Sequence, residues 1–462
     1  MKKIVFLIGI LFLLSGLTGC GTENGVVMRA EWENLAIEFN RKMFSRVCTR
    51  FDHHEIRLGE FRPTEWVLLA GKAVTDFQYK NAEEEIFADA IGSGKRFILH
   101  GFFGTLEKEV TISFYEDFSS MAVFQVKYTN NGEEDLILEA WNNHSYEIRA
   151  SDADRPAFWS YQSGSYEERP DWILPLEPGF DQENYMGMNA TDYGGGTPVS
   201  DVWHRDAGLA VGHVEMNPKL VSLPVSMPNK KTAHLGVHFE VNETLSPGMS
   251  LITLQTFVSV HQGDYFTTLA EYSRFMQAKG IHFDSWPETV YEPIWCAWGF
   301  ERNFTMDQIY GALPKAKELG FKWAVLDDGW QTAEGDWYLT NDKFPRGDED
   351  MRKLVDEIHK HGMKAKLWWA PLAVDPGTDL IEDHPDYLLL NEDGSTRDIS
   401  WWDAYYLCPA YEKVVEFTKT QVKTIMGTWG YDGLKIDGQH LNLAPPCYNP
   451  EHRHARPEES VE

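Results

Sequence analysis

The sequence predicts a multidomain protein: an N-terminal all-β sandwich followed by a (β/α)8 TIM barrel, of which the chain supplies only the first half. Three observations predict it. Residues 26–262 run as short apolar–polar alternations separated by turn residues, with no long helical period. From Tyr291 the pattern becomes strand, helix, strand. The strands of that second part lead into Trp298, Asp327, Asp328, Trp368 and Asp437, and a barrel keeps its chemistry at such C-terminal strand ends.

The chain opens with Lys2 and Lys3, an apolar run Ile4–Leu14, and Leu17-Thr18-Gly19-Cys20. Residues 1–20 read as a bacterial lipoprotein signal, cleaved before Cys20, whose sulfur takes the lipid. The apolar run is short for a membrane span. The expectation is an exported cell-envelope protein, periplasmic or at the cell surface, tethered to the membrane only through Cys20. Residues 21–25 would be a flexible leader.

Within 26–262, Glu31–Phe39 alternates in part. Met121–Thr129 and Leu136–Ala140 flank Asn130-Asn131-Gly132, which predicts a hairpin. Leu209–Val214, Thr232–Val241 and Leu251–Val260 continue the strands. Asp152–Pro198 is rich in Gly, Pro, Tyr and Trp and predicts long loops of the kind that line a neighbouring site. Residues 263–285 are a connector helix: Phe266, Leu269, Ala270, Tyr272, Phe275 and Met276 share a face and Gly280 stops it.

Residues 286–462 form the half-barrel. Strands are expected at Pro293–Gly299, Lys322–Leu326, Met363–Trp369 and Gly433–Asp437. Helices are expected at Met306–Leu319, Asp350–His361 and Tyr411–Thr428. Four such strands cannot close an eight-stranded barrel and would expose parallel edges. A longer protein, or a second chain, is expected to complete it.

Composition narrows the function. With 43% hydrophobic and 24% charged residues the chain is globular. A net charge of −29 and the lack of any long basic run exclude nucleic acid and anionic membrane surfaces as partners. The 13% aromatic content suits stacking on pyranose rings and an aromatic core equally. Cys48, Cys296, Cys408 and Cys447 show no C-x-x-C spacing; export would allow a disulfide, but none is assigned.

Four segments carry chemistry. In Tyr431–Gln439, Lys435 and Asp437 share one strand face. They form either a structural pair or a nucleophilic carboxylate beside a substrate-binding lysine. Asp327-Asp328-Gly329-Trp330-Gln331 offers two diverging carboxylates for ligand hydroxyls, or simply an Asp-Gly turn. Trp368-Trp369 ends a strand, with one ring expected toward the pocket and one toward the helices, or both in the core. His440, Cys447, His452 and His454 cluster in sequence but fit no strong zinc spacing, so no metal is expected.

The order of Trp295-Cys296-Ala297-Trp298, Leu326–Gln331, Phe344-Pro345, Ile358-His359, Leu367-Trp368 and Leu434-Lys435-Ile436-Asp437 resembles glycoside hydrolase family 36, the α-galactosidase and raffinose synthase group. The resemblance implies a retaining α-glycosidase acting on terminal α-galactosides of oligosaccharides or glycans, without a cofactor. It implies Asp437 as nucleophile and Lys435 as a lysine on sugar hydroxyls. It implies Asp327 and Asp328 as the pair on the galactose 4- and 6-hydroxyls, and Trp298 and Trp368 as aromatic walls. Ile436 stands where many members carry Trp. The Lys-Ile-Asp-Gly-Gln form leans toward the raffinose-synthase-like branch, so transglycosylation stays open. The family's general acid would fall beyond Glu462 and is assigned to no residue here. A catalytically incomplete, carbohydrate-binding surface lipoprotein is the competing reading. A Schiff-base enzyme using Lys435 is disfavoured, because Asp437 would raise the lysine's pKa.

Overall fold

In a computed structural model of the chain, the residues described are 25–460 except 52, 151–155, 163–172, 187–196, 217–218, 220, 283–284, 400–401, 439–445 and 455–456. Cys20, Gln439 and His440 therefore lie outside the described residues.

The N-terminal part is built from three antiparallel sheets. A four-stranded meander spans residues 26–57. A ten-stranded and an eight-stranded sheet follow. Their inward side chains fill one core that includes Phe39, Phe77, Phe114, Phe124, Tyr128 and Trp141, each at most 1% exposed. This is the packing that strand alternation demands, except that strands Val199–Trp203, Gly208–His213 and Thr256–His261 are buried on both faces.

The expected hairpin at Asn130 is not formed. Met121–Asn130 pairs with Leu106–Tyr115 in the ten-stranded sheet, whereas Leu136–Arg149 pairs with Thr232–Leu245 in the eight-stranded one. The Asn130 side chain makes this corner. Its amide donates to the carbonyls of Glu134 and Leu245, both at 2.8 Å, and its Oδ1 accepts from Gly132 N–H. The Asn-Asn-Gly signal marks a turn but not its destination.

The helix Tyr265–Lys279 packs Phe275 and Met276 against the outer face of the ten-stranded sheet, among Tyr115, Phe118, Val199 and Phe257. Asp264 caps its start, accepting from Phe266 N–H. A buried polar link fixes its first turns. Asp201, on strand Val199–Trp203, accepts from His261 Nε2 at 2.9 Å and from Thr268 Oγ1 at 2.8 Å. Burial would lower the His261 pKa, but Asp201 raises it on balance. A charged pair out of water holds only while both partners are present.

The C-terminal part contains a parallel sheet of Ile294–Cys296, Trp323–Leu326, Lys364–Trp369 and Gly433–Ile436, in that spatial order. Helices Met306–Glu318, Asp348–Lys360 and Glu412–Val422 alternate with these strands, the last running on as a π-helical stretch Lys423–Thr428. Thr305 and Gln308 close a reciprocal capping box at the first of them. The sheet packs Ala324, Leu326, Ala365 and Leu367 into a second core with Ile309, Leu313, Leu354 and Ile358 of the helices. Pro293–Gly299 is shorter than expected: the strand stops at Cys296 and Ala297–Phe300 forms a 3₁₀ turn. The two edge strands carry exposed apolar side chains, Ile294 at 40% and Ile436 at 53%. A small antiparallel sheet of residues 373–374, 398–399 and 404–406 sits between the third and fourth strands in sequence.

Loss of the Asp201 carboxylate should undo the helix anchor far more than loss of the hydroxyl bonded to it. We expect Asp201→Ala to cost about 3 kcal/mol and Thr268→Val about 1 kcal/mol, read by urea titration of intrinsic fluorescence. Equal, small losses would contradict this arrangement.

Candidate active site

Parallel register sets the site. Leu326 pairs with Leu367, Leu367 with Leu434, and Trp368 with Lys435. Asp327, Trp368 and Lys435 therefore fall on one row across three strands, and Asp437 lies just above it. Residues on one row of adjacent strands point to the same face.

Lys435 reaches across Trp368 to Asp327: Nζ lies 2.7 Å from Oδ2. The Asp327 side chain is only 3% exposed and the Lys435 side chain 36%. Burial alone would lower the lysine pKa, but the Asp327 carboxylate outweighs it and raises it. The ammonium is thus held charged at the mouth of the sheet. Cys296, at the end of the first strand, donates its thiol to the same Asp327 oxygen at 2.8 Å. Burial, with Asp327 adding to it, pushes this thiol's pKa up and keeps the proton on sulfur.

Asp328 turns the other way, as adjacent residues leaving a strand must. It accepts from Arg302 Nε at 2.5 Å and from Gln331 Nε2 at 2.7 Å. Arg302 also donates to Glu334 at 2.8 Å. Gly329 permits this close packing: its φ is +104°, and a Cβ there would lie 2.5 Å from the Arg302 carbonyl oxygen. Lys343 ties the same point, donating to the carbonyls of both Arg302 and Gly329. Beside them, the Glu334 N–H donates to Asp375 at 3.0 Å. Burial, then Asp375, raises the Glu334 carboxyl from its ordinary 4.5 to about 7.

Asp437 follows the fourth strand. Its backbone N–H still donates to the Trp369 carbonyl, which extends the strand by one bond. Its Oδ2 accepts from the Trp368 indole Nε1 at 2.9 Å and its Oδ1 from Gly438 N–H at 2.8 Å. Two donors on different oxygens fix the carboxylate plane. Gly438 has φ +64°, and a Cβ there would meet the Trp402 ring at 2.6 Å. The sequence leaves only glycine room at this turn.

The structure thus brings Asp327, Lys435, Trp368 and Asp437 together and sets Asp328 on the adjoining arginine network. Lys435 takes Asp327, not Asp437, as its carboxylate partner. Trp368 is 2% exposed and packs against Trp337 and Trp402; it presents an N–H to Asp437, not a ring face to solvent. Trp369 is equally buried, so both rings of this pair belong to the core. Trp298 sits in the 3₁₀ turn with 47% of its surface exposed and can offer an aromatic face. Sequence reasoning missed Arg302, Glu334 and Trp402, which no local spacing ties to the aspartates. Cys296 and Gln331 lay inside the quoted motifs without an assigned role.

A carboxyl whose folded pKa is raised contributes stability at low pH that is lost as pH rises through the folded value. Glu334→Gln should therefore gain thermal stability relative to the parent as pH is raised from about 4.5 through about 7. Paired melting curves at pH 5 and pH 8 check this, and a gain confined to pH 5 would contradict it.

Residues 264–458 match the melibiase family. Over 440 residues the chain is 30% identical to an A type blood α-D-galactosamine galactosaminidase of Flavonifractor plautii, covering 88% of this chain and 38% of that one. It is 35% identical over 94 residues to an α-galactosidase of Lactobacillus acidophilus, covering 19% of this chain and 12% of that one. Among solved structures, an α-galactosidase of Lactobacillus brevis superposes with a TM-score of 0.53 at 16% identity, over 90% of this chain and 64% of that one. A family 36 α-galactosidase of Geobacillus stearothermophilus, solved with 1-deoxygalactonojirimycin, gives 0.53 at 16% identity, over 88% and 65%. These likenesses establish the fold, and the chain spans well under half the length of its Flavonifractor relative. Residues 264–458 are thus similar to the melibiase family, and the chain as a whole is similar to an α-D-galactosamine galactosaminidase and has the fold of family 36 α-galactosidases.

Proposed function

We propose that the protein is a retaining α-glycosidase that removes terminal α-galactosides by double displacement, with Asp437 as the nucleophile. The observation that carries this reading is the Asp437 carboxylate, held at a strand's C-terminal end by the Trp368 indole and the Gly438 N–H, above the Lys435–Asp327 pair. A nucleophile of this kind must meet the anomeric carbon in one orientation, and fixed donors supply it. Asp327 and Lys435 offer an acceptor and a donor to neighbouring sugar hydroxyls, and Asp328 an acceptor on the adjoining side. Trp298 offers its exposed face to the ring.

The four parallel strands are proposed to be half of a (β/α)8 barrel. The uncovered Ile294 and Ile436 on the edge strands and the greater length of the relatives support this. The general acid would then be contributed by another part of the completed barrel. Attachment to the cell envelope through Cys20 is proposed from the sequence pattern of residues 1–20.

Family 36 structures of Geobacillus stearothermophilus carry raffinose and stachyose, which favours an α-galactoside substrate. The Flavonifractor relative aligns with the chain over 440 residues, against 94 for the Lactobacillus acidophilus α-galactosidase, which favours an α-galactosaminide as the second candidate. Transglycosylation onto an acceptor sugar would use the same first step.

With the full-length protein and an aryl α-galactoside, Asp437→Ala should lower kcat by at least about 10³-fold. Retained activity would remove the assignment. Tight α-galactoside binding with no turnover in the parent protein would support a binding role instead. Trp368→Phe keeps the ring and deletes the donor. It should lower kcat roughly tenfold with KM nearly unchanged, and a pure KM effect would place Trp368 on the substrate.

A further inference from the structure

Away from Asp437, the fold gathers four side chains that no glycosidase step uses. Cys408 follows the strand Ala404–Tyr406 and precedes the helix Glu412–Val422. Cys447, His452 and His454 come from the segment beyond the fourth strand. One donor atom from each lies within 4.8 Å of every other. The Cys408 Sγ is 3.3 Å from His454 Nε2, and the Cys447 Sγ is 3.1 Å from His452 Nδ1. Cys408, Cys447 and His452 are buried and His454 is partly so. Neither cysteine is in a disulfide.

We propose that Cys408, Cys447, His452 and His454 form a structural zinc site. Two sulfurs and two imidazole nitrogens are a donor set that suits zinc and excludes magnesium or calcium. Bond lengths of about 2.3 Å to sulfur and 2.0–2.1 Å to nitrogen give tetrahedral S···N edges of about 3.6 Å. The two S···N distances, 3.3 and 3.1 Å, are about 0.3 and 0.5 Å shorter than that edge.

A second observation concerns the outer side of His452. Its Nε2 lies 2.6 Å from the Asp386 carbonyl oxygen. A carbonyl can only accept, so Nε2 carries a proton, and in the neutral ring Nδ1 turns its lone pair toward Cys447. This is how metal-bound histidines are set in proteins. The Tyr411 ring stacks on the same imidazole, with centroids 4.1 Å apart and planes at 23°, and holds its plane.

With four protein ligands the site is closed and has no position for a substrate. Its work is mechanical. The segment after Asp437 is docked by Asn449 Nδ2 on the Leu388 carbonyl and Tyr448 N–H on the Leu390 carbonyl. A metal would clamp that segment to the Cys408 turn, and so brace the chain that leaves Asp437. The sequence hides this because Cys408 is remote from the other three, and His440, which their spacing suggests, falls outside the described residues.

The test is elemental analysis of the full-length protein purified without chelators or an affinity metal. We expect about one zinc per chain, and loss of it in Cys408→Ser and in His452→Ala. If those variants fail to fold, the unmodified protein decides. A chelator should release zinc together with the appearance of two reactive thiols, and cobalt added afterwards should show a thiolate charge-transfer band. Protein that holds no zinc and takes up no cobalt overturns the proposal, as does a Cys408–Cys447 disulfide found by peptide mapping.

Discussion

The ion pair between Lys435 and Asp327 is the contact around which the mouth of the parallel sheet is arranged. It joins the fourth strand to the second over the top of the third, a distance of two strand spacings, about 9.5 Å between backbones. The long lysine stem spans that gap to the carboxylate. Both groups leave much of their water behind, and each would be costly to bury without the other. The pairing forces Lys435 toward the second strand and so leaves Asp437 to other donors. Trp368, lying between the two strands, supplies one of them through its indole N–H. The same pair that neutralises a buried charge therefore gives Asp327 and Asp437 different partners, a lysine for one and an indole N–H for the other.

Backbone geometry supports this division. Gly329 lets the Arg302 backbone approach the Asp-Asp turn, and Gly438 lets Trp402 close over the turn after Asp437. Asp328, Arg302, Glu334 and Asp375 form a neighbouring network in which an exposed guanidinium answers buried carboxyls. Turns fixed by contacts of this kind hold the side chains at these strand ends close to one geometry.

Much of this was legible in the sequence because period and turn chemistry are local. The shift from alternating strands to strand–helix repeats marked the two parts, and the carboxylates at strand ends marked residues that the structure brings together. The failures were failures of long-range pairing. Asn130-Asn131-Gly132 announced a turn, but a buried amide sends the chain to the other sheet. Trp368 announced an aromatic at the mouth, but packing against Trp337 and Trp402 buries its ring and leaves only its N–H to Asp437. Lys435 and Asp437 share a strand face, yet the lysine pairs with a residue 108 positions away. Cys408 joins Cys447, His452 and His454 for the same reason, through packing that no spacing rule encodes.

The most direct measurement is covalent trapping. A slow-turnover fluorinated α-galactoside, incubated with the full-length protein, should leave a glycosyl ester on one carboxylate, located by peptide mass mapping. An adduct on the peptide at Asp437, absent when Asp437 is replaced by Asn, is the result expected of the geometry described here. An adduct on Asp327, Asp328 or any other carboxylate would contradict it, and would move the nucleophile away from the fourth strand.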